Sequence, residues 1–174
     1  MFICMPFFHA MGLLLQTTSC LFYGSSAHVV RRFSATTWLE EIRSSESTLT
    51  YGLGVTPEFI FRQPPTPHDQ DHKLRLMLAV PIRDDWGRPF EERFGLRLVQ
   101  AFGMTECNIP AYGKLEDPIM AGCAGRIEND FFEVKVVDSE NDEEVTIGEV
   151  GEIVVRPKHP GCFMAGYFRM PERT

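Results

Sequence analysis

The sequence predicts an α/β fold: a parallel sheet with flanking helices, followed by the start of a small antiparallel β subdomain. Three observations lead there. From Met1 to Ala101, short apolar runs rich in β-favouring residues alternate with helix-patterned segments, the rhythm of βαβ units joined by right-handed crossovers. After Glu106 that rhythm stops, and two strand-like runs flank a polar connection with no helical period, which reads as antiparallel pairing. Between the two regimes lies the stretch Leu98 to Asn108, an apolar run that turns on Gly103 and ends in a hydroxyl, Thr105, beside a carboxylate, Glu106.

Taken in order, Met1 to Met5 is a fully buried strand and Pro6 to Met11 the loop at its carboxyl end. A helix from about Gly12 to Tyr23 follows, closed by Gly24, where a left-handed terminus costs little. Ala27 to Val30 is a second strand. Ser34 or Thr36 caps the next helix, whose Trp38, Leu39 and Ile42 share one face. Thr48 to Leu53 is the third strand, and Thr56-Pro57-Glu58 starts a helix with a capping hydroxyl, a first-turn proline and an acid at the positive end of the dipole. Pro64 and Pro65 stop it, and a polar loop runs to His72. Leu74 to Val80 is the fourth strand; Asp84 or Asp85 caps a helix that buries Phe90 and Phe94 and ends at Gly95. Leu96 to Ala101 is the fifth strand and delivers the central stretch.

Beyond it, Tyr112 to Gly125 reads as a loop rich in Gly and Pro. Phe131 to Val137 and Glu152 to Arg156 are strands around an acidic turn, Asp138 to Glu144, whose spacing does not match a calcium loop. The expected division is an α/β sheet subdomain over 1–128 that carries the site, and a partial β-barrel-like subdomain over 129–174.

Composition narrows the function classes. Hydrophobic residues at 44% and charged residues at 24% are globular values that exclude a disordered chain. A net charge of -7 argues against nucleic acid or an anionic membrane as the main partner. The five cysteines are odd in number and lack Cys-x-x-Cys spacing, which fits reduced thiols in a cytoplasmic protein better than a disulfide frame or zinc site. The apolar N-terminus has no basic region ahead of it and is interrupted by Pro6, His9 and Gln16, so neither a signal peptide nor a membrane span is expected. A chain that opens directly in a buried strand reads as a fragment.

The central stretch carries the chemistry. Ligands of α/β proteins bind at the carboxyl ends of strands, and there Phe102 offers an aromatic face, Gly103 a flexible turn, Thr105 a donor and Glu106 an oxygen ligand for a metal. These suit a nucleotide: a ring for its base, a hydroxyl for a phosphate oxygen and a carboxylate for Mg2+. A strand ending in Gly-x-Thr-Glu is also an ordinary exit into a loop, so spacing alone leaves both readings open. No Gly-x-Ser-x-Gly elbow supports a Ser/His/Asp hydrolase.

Phe102-Gly103-Met104-Thr105-Glu106 resembles the Tyr-Gly-x-Thr-Glu motif of the adenylate-forming superfamily, which includes acyl-CoA synthetases, luciferases and nonribosomal-peptide adenylation domains. Met5-Pro6-Phe7-Phe8-His9-Ala10-Met11-Gly12 is similar to that family's Pro-x-Phe-His-x-x-Gly segment. Gly151-Glu152-Ile153, Gly166-Tyr167 and Pro171-Glu172-Arg173-Thr174 resemble its Gly-Glu-Ile and Gly-Tyr-x-x-x-Pro-Glu-x-Thr run, in the family's order. Phe90 to Gly95 matches its helix before the central strand, and Gly122, Gly125 and Arg126 a turn that backs the site.

The resemblance implies part of the large N-terminal domain of an adenylate-forming enzyme, of the acyl-CoA ligase branch and close to carnitine/crotonobetaine-CoA ligases. It implies ATP, Mg2+ and coenzyme A as cofactors and a carboxylic acid as substrate. It places Phe102, Gly103, Met104 and Thr105 with Ala79 and Val80 at the nucleotide, Glu106 at Mg2+, and His9 with Thr105 and Glu106 among the catalytic groups. Two departures stand out. Phenylalanine replaces the commoner tyrosine at position 102, and Leu78-Ala79-Val80-Pro81 stands where the family has Gly-Gly-Ala-Pro. The family's lysine-ended phosphate loop and its lysine-bearing C-terminal domain fall outside this sequence, so the fragment alone is expected to be inactive. A peptide-synthetase adenylation domain and a truncated, non-catalytic binding or scaffold homologue are the alternatives. The residues name neither the acid nor the oligomeric state.

Overall fold

The computed structural model describes all of residues 1–174. Packing divides the chain into two compact units: a sheet unit, residues 1–101 with 113–123, and a hairpin unit, residues 102–112 with 124–174.

The sheet unit is built on five parallel strands: β1 (Phe2–Ile3), β2 (His28–Val29), β3 (Leu49–Leu53), β4 (Leu76–Val80) and β5 (Arg97–Val99). They lie in the order β2-β1-β3-β4-β5, with Phe2 opposite both His28 and Thr50, Gly52 opposite Ala79, and Leu76 opposite Arg97. The chain steps outward from β1 to β2 and then returns past β1 to β3, so the strand order reverses at β1 and β3. With the right-handed crossovers that parallel strands favour, this order assigns α2 (Trp38–Ser44), α3 (Thr56–Phe61) and α4 (Gly87–Phe94) to one face and the first helix to the other.

The three-helix face is the core. Side chains alternate along a strand, and on β3 and β4 the buried set is Thr50, Gly52, Met77 and Ala79. Gly52 is small for a reason: a Cβ there would lie 2.7 Å from Pro57 Cγ of α3 and 2.3 Å from the end of Met77. Over these strands Trp38 packs edge-on against Phe90 and Phe94, and Trp86 against Phe90. Gly95 ends α4 in the left-handed conformation, as expected. Arg93 projects from α4 to the end of α3, where its guanidinium donates to the carbonyls of Phe61 (2.6 Å), Gln63 (2.9 Å) and Pro64 (3.2 Å) and pairs with the buried Asp69 carboxylate at 2.6 Å. One side chain thus satisfies carbonyls that a helix end leaves open.

Local chemistry departs from expectation in three places. The first helix begins as a π-helical segment, Met11–Thr17, and becomes α-helical (α1) only over Thr18–Phe22. Thr17 returns its hydroxyl to the Gly12 carbonyl at 2.8 Å, five residues back. The expected residues do not occupy the cap positions, although the Ser34 hydroxyl accepts from Thr37 N–H at 3.4 Å ahead of α2. Thr37, Val55 and Trp86 occupy the cap positions of α2, α3 and α4, all without a side-chain cap bond. Asp85 instead pairs with Arg83 at 3.1 Å, and the Thr56 hydroxyl bonds Leu53.

The third departure concerns the centre of the chain. The expected fifth strand is two strands in two sheets: β5 stops at Val99, and β6 (Ala101–Met104) belongs to a second sheet. The break falls at Gln100, a buried polar residue whose carbonyl accepts from Gly113 N–H at 2.8 Å, outside the parallel ladder.

In the hairpin unit β6 neighbours β7 (Asn108–Tyr112), which pairs antiparallel with β8 (Arg126–Ile127). The two-strand pair β9 (Phe132–Val137) and β10 (Glu152–Pro157) is antiparallel as predicted, from Phe132 opposite Pro157 to Val137 opposite Glu152. The acidic connection between them is a turn, with Asp142 in the left-handed region and Asp138 and Asn141 accepting from backbone N–H groups two residues on. No helix of the chain is long and apolar enough to cross a membrane.

Candidate functional site

The Gly-x-Thr-Glu stretch is a hairpin. Three residues, Thr105 to Cys107, connect β6 and β7, too few for anything but antiparallel strands. Gly103 is therefore not the turn the sequence suggested. It sits in β6, its φ is not positive, and its role is close approach: a Cβ would lie 2.4 Å from the Asn108 carbonyl oxygen. The turn is made by the next residues, with Cys107 N–H donating to the Met104 carbonyl at 3.3 Å and Asn108 left-handed at φ 65°.

This arrangement sets the exposure of the predicted residues. Phe102 is half-buried, Gly103, Met104 and Thr105 are exposed, and Glu106 is half-buried. The Thr105 hydroxyl has no protein partner. Glu106 is held at two points: its carbonyl accepts from Met164 N–H at 2.9 Å, and its Oε1 accepts from the Tyr167 hydroxyl at 2.6 Å. That phenol, and then the carboxylate's own backbone N–H, hold the Glu106 carboxyl below its ordinary pKa, so it is an anion at neutral pH. The same bond raises the Tyr167 pKa and keeps that proton in place. Oε2 is left open. Behind the turn Cys107 is buried, and burial raises its thiol pKa, with the charge of Glu106 acting in the same direction. It is an inert thiol at neutral pH.

The chain has no group of three or more His, Cys, Asp or Glu able to cage a metal. One ionised carboxylate with a free oxygen, beside an uncommitted hydroxyl, suits a hydrated divalent cation that brings its own oxygen ligands.

The other predicted residues lie in the sheet unit. His9 is in the loop after β1, one of the two strands between which the order reverses and where α/β sheets form ligand crevices. Met11 N–H donates to His9 Nδ1 at 3.1 Å, so the neutral ring carries its proton on Nε2. The exposed ring thereby offers a donor, while its backbone carbonyl accepts from Gly12 and Leu13. Ala79 is fully buried, opposite Gly52; Val80, at the end of β4, is half-buried and accepts from Gly54 N–H at 2.8 Å. Gly122 and Gly125 both have positive φ, as their turn requires, and Arg126 lies on β8 opposite Tyr112.

Residues 1–168 match the family model described as AMP-binding enzyme. The chain belongs to the AMP-binding enzyme family. Among curated relatives of this AMP-binding chain, a long-chain fatty acid transport protein 2 of Rattus norvegicus is 29% identical over 170 residues, covering 87% of this chain and 27% of its own length. A crotonobetaine/carnitine–CoA ligase of Salmonella typhi is 27% identical over 172 residues, covering 98% and 33%. The chain thus spans roughly a quarter to a third of these relatives. Among solved structures, ATP-bound MatB from Rhodopseudomonas palustris superposes with a TM-score of 0.83 at 24% identity, over 99% of this chain and 34% of that one. An O-succinylbenzoate coenzyme A synthetase from Bacillus subtilis, in complex with ATP and magnesium ion, gives 0.71 at 23%, over 90% and 32%. At that identity the structural likeness speaks for the fold.

Tyr167 was not singled out from the sequence. Its signal was the Gly-Tyr...Pro-Glu-x-Thr run, which was legible as a motif while its contact was not.

Proposed function

We propose that this chain is the central part of an ATP- and Mg2+-dependent acid–thiol ligase, which makes an acyl-adenylate from a carboxylic acid and passes the acyl group to the thiol of coenzyme A. One observation carries the reading: an ionised Glu106 with a free oxygen, next to an exposed and uncommitted Thr105, at the tip of the β6–β7 hairpin. Membership of the AMP-binding family and the CoA ligases among its relatives support it.

In this reading Phe102 lies along the adenine, with Gly103 and Met104 beside it. Phenylalanine keeps the stacking face of the usual tyrosine. Thr105 donates to a phosphate oxygen, and Glu106 holds Mg2+. A Mg2+ held there would offset negative charge on the phosphates. The chain's own contribution is position and polarity. His9, its proton fixed on Nε2, donates to an oxygen at the acyl or phosphate end. The carboxylate attacks the α-phosphate, pyrophosphate departs with the bond's electron pair, and the thiol then displaces AMP from the acyl carbon. We propose a cytoplasmic setting, consistent with five free cysteines. The 174-residue chain alone is proposed to bind nucleotide without completing a turnover, since it spans about a third or less of its relatives.

The test is ATP–pyrophosphate exchange by the product of the complete reading frame, with Mg2+, across a panel of carboxylic acids. Exchange that depends on one class of acid and falls at least a hundredfold in Glu106→Ala is the expected result. CoA thioester formation from the same acid then separates a CoA ligase from an enzyme that loads a carrier protein. A folded protein that exchanges with no acid would point instead to a binding or scaffold homologue.

A further inference from the structure

Glu106 and Tyr167 are 61 residues apart in sequence, yet the phenol donates to the carboxylate at 2.6 Å. The contact is built from both sides. On the glutamate side, the hairpin turn and the Met164 N–H bond to the Glu106 carbonyl fix the backbone. On the tyrosine side, Tyr167 N–H donates to Thr174 Oγ1 at 3.0 Å, and the same hydroxyl donates to the Met170 carbonyl at 3.3 Å. A short 3-10 turn, Pro171–Arg173, brings Thr174 back to this position. Gly166, at φ 134°, makes room for it: a Cβ there would meet the Thr174 side chain at 2.9 Å. The Gly166-Tyr167 and Pro171-Glu172-Arg173-Thr174 segments therefore form one small device whose product is a phenol aimed at Glu106.

A glutamate on a hairpin tip has three side-chain torsions to fix before it can ligate a cation, and nothing else in the chain is bonded to its carboxylate through a side chain. We propose that Tyr167 is a positioning residue: its hydroxyl holds Oε1 so that Oε2 is presented to the divalent cation of the nucleotide. This rests on the reading of Glu106 as the Mg2+ ligand. Partners that orient a metal ligand from behind typically govern about 10- to 100-fold in metal affinity.

The experiment is binding of Mn2+·ATP, followed by the electron paramagnetic resonance signal of free Mn2+, to the 174-residue chain and to Tyr167→Phe, Glu106→Gln and the double variant. Near-ultraviolet circular dichroism of each variant serves as the fold control. Tyr167→Phe should weaken binding about tenfold, Glu106→Gln at least as much, and the double variant no more than Glu106→Gln alone, because the phenol acts through the carboxylate. In exchange assays on the complete reading frame, Tyr167→Phe should raise the KM for Mg2+ and leave the KM for the acid unchanged. Wild-type binding by Tyr167→Phe with loss in Glu106→Gln would overturn this inference alone. Additive losses in the double variant would also overturn it, since Tyr167 would then act on its own. Absence of binding by the wild type, or full binding by Glu106→Gln, would overturn the reading of the site and this inference with it.

Discussion

In the sheet unit, Trp38, Trp86, Phe90 and Phe94 are all at most 2% exposed, while in the hairpin unit β10 leaves Glu152, Ile153 and Val154 open to solvent. One unit is held by apolar side chains on three helices and the strands beneath them. The other is held mainly by its β ladders and by a handful of polar contacts, among them Tyr167 to Glu106 and Tyr112 to Glu128. The contrast has a functional sense. Burial is non-directional and tolerates small displacements, whereas presenting a carboxylate to a cation requires directional bonds and access to solvent. The sheet unit is packed around a buried aromatic cluster, and the hairpin unit leaves more of its side chains exposed.

The contrast breaks down if the two units answer equally to loss of packing. Trp38→Ala removes the ring that meets both Phe90 and Phe94 and should destabilise the sheet unit by about 3–5 kcal/mol, read from the urea midpoint by tryptophan emission of the remaining Trp86. A loss below about 1 kcal/mol would mean that the aromatic cluster does not carry the unit.

The next largest effect concerns the polar latch in the sheet unit. Burial pushes the Asp69 carboxyl up, but the Thr66 hydroxyl, the Arg93 guanidinium and the Thr66 N–H together outweigh it and set the folded pKa below the ordinary 3.8. A folded pKa below the unfolded one means that the stabilisation is complete above the ordinary value and is lost as pH falls through the folded one. Asp69→Asn, which leaves Arg93 without its ion pair, should cost about 3 kcal/mol at neutral pH. The gap from wild type should narrow below about pH 4. A gap that stays constant from neutral pH into strong acid would remove the carboxylate from the account.

The smallest of the three sharpens the hairpin side. Gly103→Ala places a Cβ against the Asn108 carbonyl, so β6 and β7 must spread, at about 1–3 kcal/mol. Hydrogen exchange should accelerate over Ala101–Tyr112 while the amides of β3 and β4 keep their protection. Acceleration spread evenly over both units would show that they do not respond separately.

Much of this was legible in the sequence, and the exceptions have physical causes. The five parallel strands and the β9–β10 pair announce themselves as apolar or alternating runs, and Phe90, Phe94 and Gly95 mark α4. The β6–β7 hairpin was hidden because Gly103 carries the signal of a turn and Pro110 that of a strand breaker. In fact the glycine serves close approach, and the proline tolerates its place in β7 while its carbonyl accepts from Glu128 N–H at 2.9 Å. The caps were misassigned because a cap requires a hydroxyl or acid at one position, and Asp85 and Thr56, each one residue from it, form other bonds. Of the proposed site, Phe102, Thr105 and Glu106 stand together in one motif, whereas the Tyr167–Glu106 bond has no local signal, because no local period relates residues that far apart.

The central claim is that the tip of the β6–β7 hairpin receives Mg2+·ATP. The most direct measurement is photolabelling of the wild-type chain with an azido-ATP in the presence of Mg2+, followed by peptide mapping. The account predicts label on the peptide that spans Leu98–Asn108, suppressed by unlabelled ATP and by Glu106→Gln. Label confined to other peptides, or label on this one that neither ATP nor the substitution suppresses, would contradict it.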